Sequence, residues 1–121
     1  NFTTRFAINA ACVKYKIPLV SGAAIRFEGQ VSVFASGKND SPCYNCLYQQ
    51  EGEEQQTCST TGVIAPITGI VGSIQALEAM KLIIGVGETL TGRLLVIDGL
   101  TMEINTLTLR KNPHCPTCAN Q

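Results

Sequence analysis

Pro42-Cys43-Tyr44-Asn45-Cys46-Leu47 and, near the other end of the chain, His114-Cys115-Pro116-Thr117-Cys118 are the stretches whose reading decides the fold. Each contains a Cys-x-x-Cys, the spacing at which two thiolates on a tight turn grip one metal ion. Neither pair completes a tetrahedral site alone. Brought together, Cys43, Cys46, Cys115 and Cys118 would form a closed structural zinc site, because a catalytic zinc keeps one position open. Such a site ties the end of the chain to its middle. Two other readings stand beside it. A thioredoxin-type dithiol sits at a helix start near a βαβ pattern, whereas the first pair follows the polar loop Gly37 to Pro42. Disulfides belong to oxidising compartments, and nothing in the sequence resembles a secretory signal. His114 abuts Cys115 and is a substitute ligand in principle, little needed where four cysteines are present.

Composition narrows the classes. The 121 residues fit one domain or part of a larger one. The chain is 45% hydrophobic and only 15% charged, below the usual quarter. It must bury a large core or cover part of its surface with a partner. Nine basic and nine acidic residues cancel, with no basic run, so a nucleic-acid backbone finds no electrostatic footprint here. The sequence opens on Asn1 rather than Met, and we expect a fragment or one chain of a cleaved protein.

Outward from the cysteines, local patterns predict the elements. Phe2, Phe6, Ile8, Cys12, Val13 and Tyr15 have helical spacing up to Pro18, with Lys14 and Lys16 in the last turn. Cys12 reads as core packing. Leu19 to Ile25 reads as a buried strand, Glu28-Gly29-Gln30 as turn chemistry, and Gln30 to Phe34 as an alternating strand, the two strands joined by a tight surface turn at Arg26-Phe27-Glu28. Gln49 to Gln56 is polar and acidic, without an apolar anchor, and leads to Cys58 just ahead of a helix. A helix N-terminus stabilises a thiolate; from position alone, an ordinary exposed or half-buried cysteine is the plainer reading of Cys58. Val63 to Ile84 predicts a long, largely buried helix, with Gly69 and Gly72 allowing close packing. Its length suits a membrane span, but Pro66, Gln75, Glu78 and Lys81 interrupt it, so we read a core helix. Gly85-Val86-Gly87 lacks the preceding strand and third glycine of a dinucleotide loop and reads as a helix cap. Arg93 to Ile97 and Met102 to Arg110 predict a hairpin, with a bulge between Ile104 and Leu107. The fold class is α/β.

Several of these stretches, in order, resemble the MoeB/ThiF/HesA group, bacterial relatives of ubiquitin-activating enzymes. The resemblance rests on Asn1-x-x-x-Arg5, Asn9-Ala10-Ala11-Cys12, Pro18-Leu19-Val20-Ser21-Gly22-Ala23-Ala24-Ile25-Arg26-x-Glu28-Gly29-Gln30, the two cysteine knuckles, Thr57-Cys58, and Gly72-Ser73-Ile74-Gln75-Ala76-Leu77-Glu78-Ala79-x-Lys81. It implies that residues 1–121 are the C-terminal part of one Rossmann-like adenylating domain carrying a four-cysteine zinc knuckle. The implied activity uses ATP and Mg2+ to adenylate the C-terminal glycine of a ubiquitin-like sulfur carrier (MoaD- or ThiS-like, ending in Gly-Gly) for molybdopterin or thiamine biosynthesis. A carboxylate is a poor electrophile, and a mixed anhydride opens it to sulfur transfer. The family's glycine-rich nucleotide loop, ATP-gripping arginine and lysine, and magnesium-linked aspartate would all precede Asn1, so this stretch alone is expected to be inactive without an N-terminal half. By the same resemblance Cys58 is catalytic, Asn1 and Arg5 flank the carrier-binding cleft, and the protein is a cytoplasmic homodimer without nucleic-acid or membrane partners. The alternatives are a non-catalytic zinc-stapled module that binds a ubiquitin-like protein and a dithiol redox protein.

Overall fold

The structure is a computed structural model describing residues 2–37, 40–48 and 62–119. In chain order it contains α1 (Phe2–Tyr15), β1 (Leu19–Ile25), β2 (Glu28–Phe34), α2 (Tyr44–Leu47), α3 (Ala65–Ile84), β3 (Arg93–Asp98) and β4 (Glu103–Thr108). The strands form one antiparallel sheet in the order β1-β2-β3-β4. The mixed α/β class agrees with the sequence reading.

Strand β2 shows how both faces of the sheet are used, since successive side chains point to opposite sides. Val31 and Val33 are fully buried and pack with Ile67, Val71 and Leu90. Phe34 faces the other way and joins Phe6 and Tyr44. Ser32, also buried, donates its hydroxyl to the Arg93 carbonyl at 2.6 Å.

Helix α3 lies across the first face. It starts with Pro66 in its first turn and ends at Gly85, whose φ of 79° only glycine adopts cheaply. The Gly85 N–H then reaches the Lys81 carbonyl at 2.8 Å. Close approach depends on the sheet rather than on Gly69 and Gly72, which face open space. A Cβ on Gly29 would stand 2.6 Å from Val71 Cγ2, and one on Gly22 would run into the Gln75 side chain. The strands therefore supply the small residues, correcting the expectation from sequence.

Three more expectations change. Helix α3 is not largely buried: Ile67, Val71 and Glu78 are buried, while Ile83 is 84% exposed. The sheet covers one flank, and among the described residues nothing covers Leu77, Met80, Ile83 and Ile84. By length and composition α3 is apolar enough to cross a membrane. Its Glu78, however, is buried, pairs with Lys81, and accepts the Leu90 N–H at 2.5 Å. The β1–β2 turn falls at Arg26-Phe27, within the Arg26-Phe27-Glu28 turn read from the sequence, but Glu28-Gly29-Gln30 is strand rather than turn, because Glu28 already pairs with Ile25 and Asp98. Arg26 adopts the left-handed φ of 53° at that turn, and its backbone bonds to Gly62 and Ile64. Finally, β4 pairs with β3 from Arg93↔Thr108 to Asp98↔Glu103 without a bulge. All six β4 residues are exposed, so neither face demands strict alternation.

Candidate metal centre

The first knuckle is held by α1. Phe6, Asn9 and Val13 form the buried stripe of that helix. Phe6 packs edge-on against Tyr44 with ring centroids 5.5 Å apart, and Phe34 does the same at 5.8 Å. Tyr48 stacks tilted on Tyr44 at 4.6 Å and donates its hydroxyl to Gln30 Oε1 at 2.9 Å. Burial, then the neighbouring Tyr44, pushes the Tyr48 phenol up to about 12, so it remains a donor. This aromatic wedge fixes α2, with Cys43 at its N-cap and Cys46 within it.

The second knuckle is a run of turns. Cys115 N–H bonds the Asn112 carbonyl at 3.0 Å, and Ala119 N–H bonds the Cys115 carbonyl at 3.1 Å. Two contacts pin this knuckle to the first. Asn45 Nδ2 donates to Thr117 Oγ1 at 2.9 Å, and the Asn112 N–H points at Cys46 Sγ at 3.4 Å.

Together these supports bring all four sulfurs within 4.8 Å of one another. Cys43 and Cys46 are 4.0 Å apart, Cys43 and Cys115 3.6 Å, and Cys46 and Cys118 3.4 Å. All four are free thiols, since a disulfide needs about 2.05 Å. Cys43, Cys115 and Cys118 are buried and Cys46 is half-buried. His114 is exposed and outside the cluster. Burial pushes the Cys43 and Cys118 thiols up. Burial also opposes the Cys115 thiolate, but hydrogen bonds from the backbone N–H groups of Cys118 and Thr117 and from the Cys43 and Cys118 side chains together outweigh it and hold that thiol below its ordinary value. Four thiolates cannot crowd into this space unless a cation offsets their charge. The cluster can hold a metal ion, and four sulfur donors of this spacing match a closed, soft-ligand tetrahedral site.

Arg5 stands beside this centre rather than in it. Its positive charge lies near the Tyr44 phenol, opposing the burial that pushes that phenol up, and it lines an open cleft of about 230 Å³ with Ser21, Gly22, Tyr44 and Gln75. Asn1 and Cys58 lie outside the described residues, as does the acidic stretch before Cys58. Cys12 is half-buried on α1. The sequence reading gave no role to Asn9, Tyr44 or Gln75. Asn9 had a signal: it falls between Phe6 and Val13 on the apolar stripe, where a polar side chain needs a partner.

Comparison with known proteins extends the picture. The sequence pattern of the ThiF family matches residues 1–117. The molybdopterin-synthase adenylyltransferase of Escherichia coli (strain K12) is 43% identical over 118 residues, spanning 98% of this chain and 47% of that protein. The SAMP-activating enzyme E1 of Haloferax volcanii is 46% identical over 120 residues, spanning 98% of this chain and 43% of that protein. The chain thus spans about half the length of the curated relatives it matches. Among solved structures, E. coli MccB with AMPCPP and MccA superposes with a TM-score of 0.79 at 19% identity, over 99% of this chain and 38% of that chain. That likeness shows the fold.

Proposed function

This chain belongs to the ThiF family, and on that premise we propose that it is the C-terminal part of an enzyme that adenylates the C-terminal glycine of a ubiquitin-like sulfur carrier. The observation that carries the reading is the 43–44% identity, across 98% of the chain, to enzymes named molybdopterin-synthase adenylyltransferase. Those names favour a molybdopterin-pathway carrier over a thiamine one. ATP and Mg2+ would be held by residues beyond this stretch, in an N-terminal half, and the working protein is a cytoplasmic homodimer.

Zinc is the metal that suits the four cysteines. A tetrahedron with Zn–S bonds of 2.3 Å has edges of about 3.8 Å, against 3.4–4.0 Å for Cys43–Cys46, Cys43–Cys115 and Cys46–Cys118 and no more than 4.8 Å for any pair here. Cys43, Cys46, Cys115 and Cys118 would fill all four positions. The ion would then staple the tail to α2 and leave no open site for substrate. Arg5, which lines the cleft beside Tyr44, would meet the carboxylate end of a carrier with its guanidinium. Asn1 would flank the same cleft. Cys58 would attack the acyl-adenylate carbonyl, forming a thioester as AMP leaves, or take sulfane sulfur from a donor persulfide whose thiolate leaves.

The experiment is ATP–pyrophosphate exchange by the full-length protein with a carrier ending in Gly-Gly. Exchange that requires the carrier and its terminal glycine is the expected result. Carrier binding without exchange would instead select the non-catalytic zinc-stapled module. Replacing Cys58 with Ser should leave exchange intact and impair sulfur transfer; loss of exchange would remove Cys58 from the transfer step.

A further inference from the structure

Asn9 is 1% exposed, and both ends of its amide engage the first knuckle. Its Nδ2 donates to Cys43 Sγ at 3.5 Å, and its Oδ1 accepts the Tyr44 N–H at 2.9 Å. Rotation of this side chain would strand two buried polar groups, so the contact is fixed. One turn earlier on α1, Arg5 lines the same cleft as Tyr44. Helix α1 therefore grips the knuckle at its sulfur and its backbone through Asn9, and at the Tyr44 ring through Phe6.

We infer that Asn9 is a positioning residue of the metal centre: its N–H orients and polarises the Cys43 sulfur, while its carbonyl locks the Cys43–Tyr44 peptide against α1. This inference rests on reading the four cysteines as metal ligands. A donor to a ligand sulfur withdraws electron density and fixes the lone pair that faces the ion, the role that outer partners play for first ligands elsewhere. Metal occupancy and the stance of Tyr44 in the cleft are then mechanically joined, because one amide holds both.

The test uses the intact protein with Zn2+ and with Co2+ as a coloured substitute. Asn9→Asp keeps the shape and the Tyr44 bond and, at a pH high enough to ionise the carboxyl, removes the donor to sulfur. Asn9→Leu keeps the volume and removes both bonds. Chelator competition should show affinity lowered roughly 10–100-fold in each variant. The sulfur-to-cobalt charge-transfer band should move to lower energy, since an unbonded thiolate is easier to oxidise. A purely structural role would lower thermal stability without moving that band. If Asn9→Leu fails to fold, the isosteric Asn9→Asp carries the comparison. Affinity within twofold of the parent with an unmoved band overturns the inference. A parent protein that takes up neither metal overturns the metal reading itself, a distinct result.

Discussion

The cysteine end and the outer flank of α3 are built on opposite plans. At the cysteine end, α1, α2 and the tail converge. Cys43, Tyr44 and Cys118 are 0–2% exposed, and the Asn9 amide, the Tyr44 N–H and the Asn45 side chain are each hydrogen-bonded there. Along α3, the inner residues Ile67 and Val71 are 4–5% exposed, while Leu77, Met80 and Ile83 stand 55–84% exposed. An apolar surface so continuous is unusual in a chain that stands alone. The difference teaches where the energy lies. The first region is held by directional donors and acceptors that tolerate little change; the second is held on one flank by close packing, and its other flank contributes nothing within these residues.

Four measurements would break or sharpen this contrast. The largest effect is expected at the cysteines. Cys118→Ser should abolish metal retention and cost several kcal/mol, given the roughly 10–16 kcal/mol that structural zinc provides in small fingers. Elemental analysis and a denaturant melt check both parts; retained metal would undo the closed-cage reading. Next, Ile67→Ala should cost about 2–5 kcal/mol, whereas Ile83→Ala on the opposite flank should stay within about 0.5 kcal/mol. Equal losses would erase the contrast between flanks. Gly29→Ala should cost about 1–3 kcal/mol by overpacking against Val71, while Gly69→Ala, with open space around it, should not destabilise.

The smallest effect is a pH dependence of opposite sign in the two forms. Cys43 and Cys118 are raised from the ordinary value of 9.0 in the metal-free chain, chiefly by burial. Burial there favours the neutral thiol, so its contribution is full below that value and fades as pH rises through the folded values. Cys115, held low, offsets part of this. In the loaded form protons compete with metal, so stability falls as pH falls. Urea melts with and without chelator, on either side of about pH 9, should diverge in these directions. Parallel curves would show that the cluster holds no metal.

How much of this was legible in the sequence follows from the range of each signal. The cysteine spacing is local chemistry, and it named the four residues that the fold brings together. The strands and helices were legible because periodicity reports burial on one face. Burial of α3 was misjudged for the same reason: an apolar residue announces that something should cover it, not whether these residues do. The close-approach glycines were sought on the helix, yet Gly22 and Gly29 sit on the sheet, because packing needs a small residue on only one partner. Asn9 could have been suspected from its place on an apolar stripe, but its partner lies 34 residues away. No local pattern spans that distance.

Cys43 and Cys115, and likewise Cys46 and Cys118, are each 72 residues apart along the chain. Closing a loop of that size removes about 4 kcal/mol of freedom from the disordered chain in the entropic account of cross-links. A covalent bridge would impose that closure once. An ion imposes it only while the supply lasts, and its contribution grows with the logarithm of free metal concentration. The folded fraction of this polypeptide would thereby register metal availability in its surroundings, and starvation for the ion would release the tail after Thr108 from α2 before disturbing the sheet.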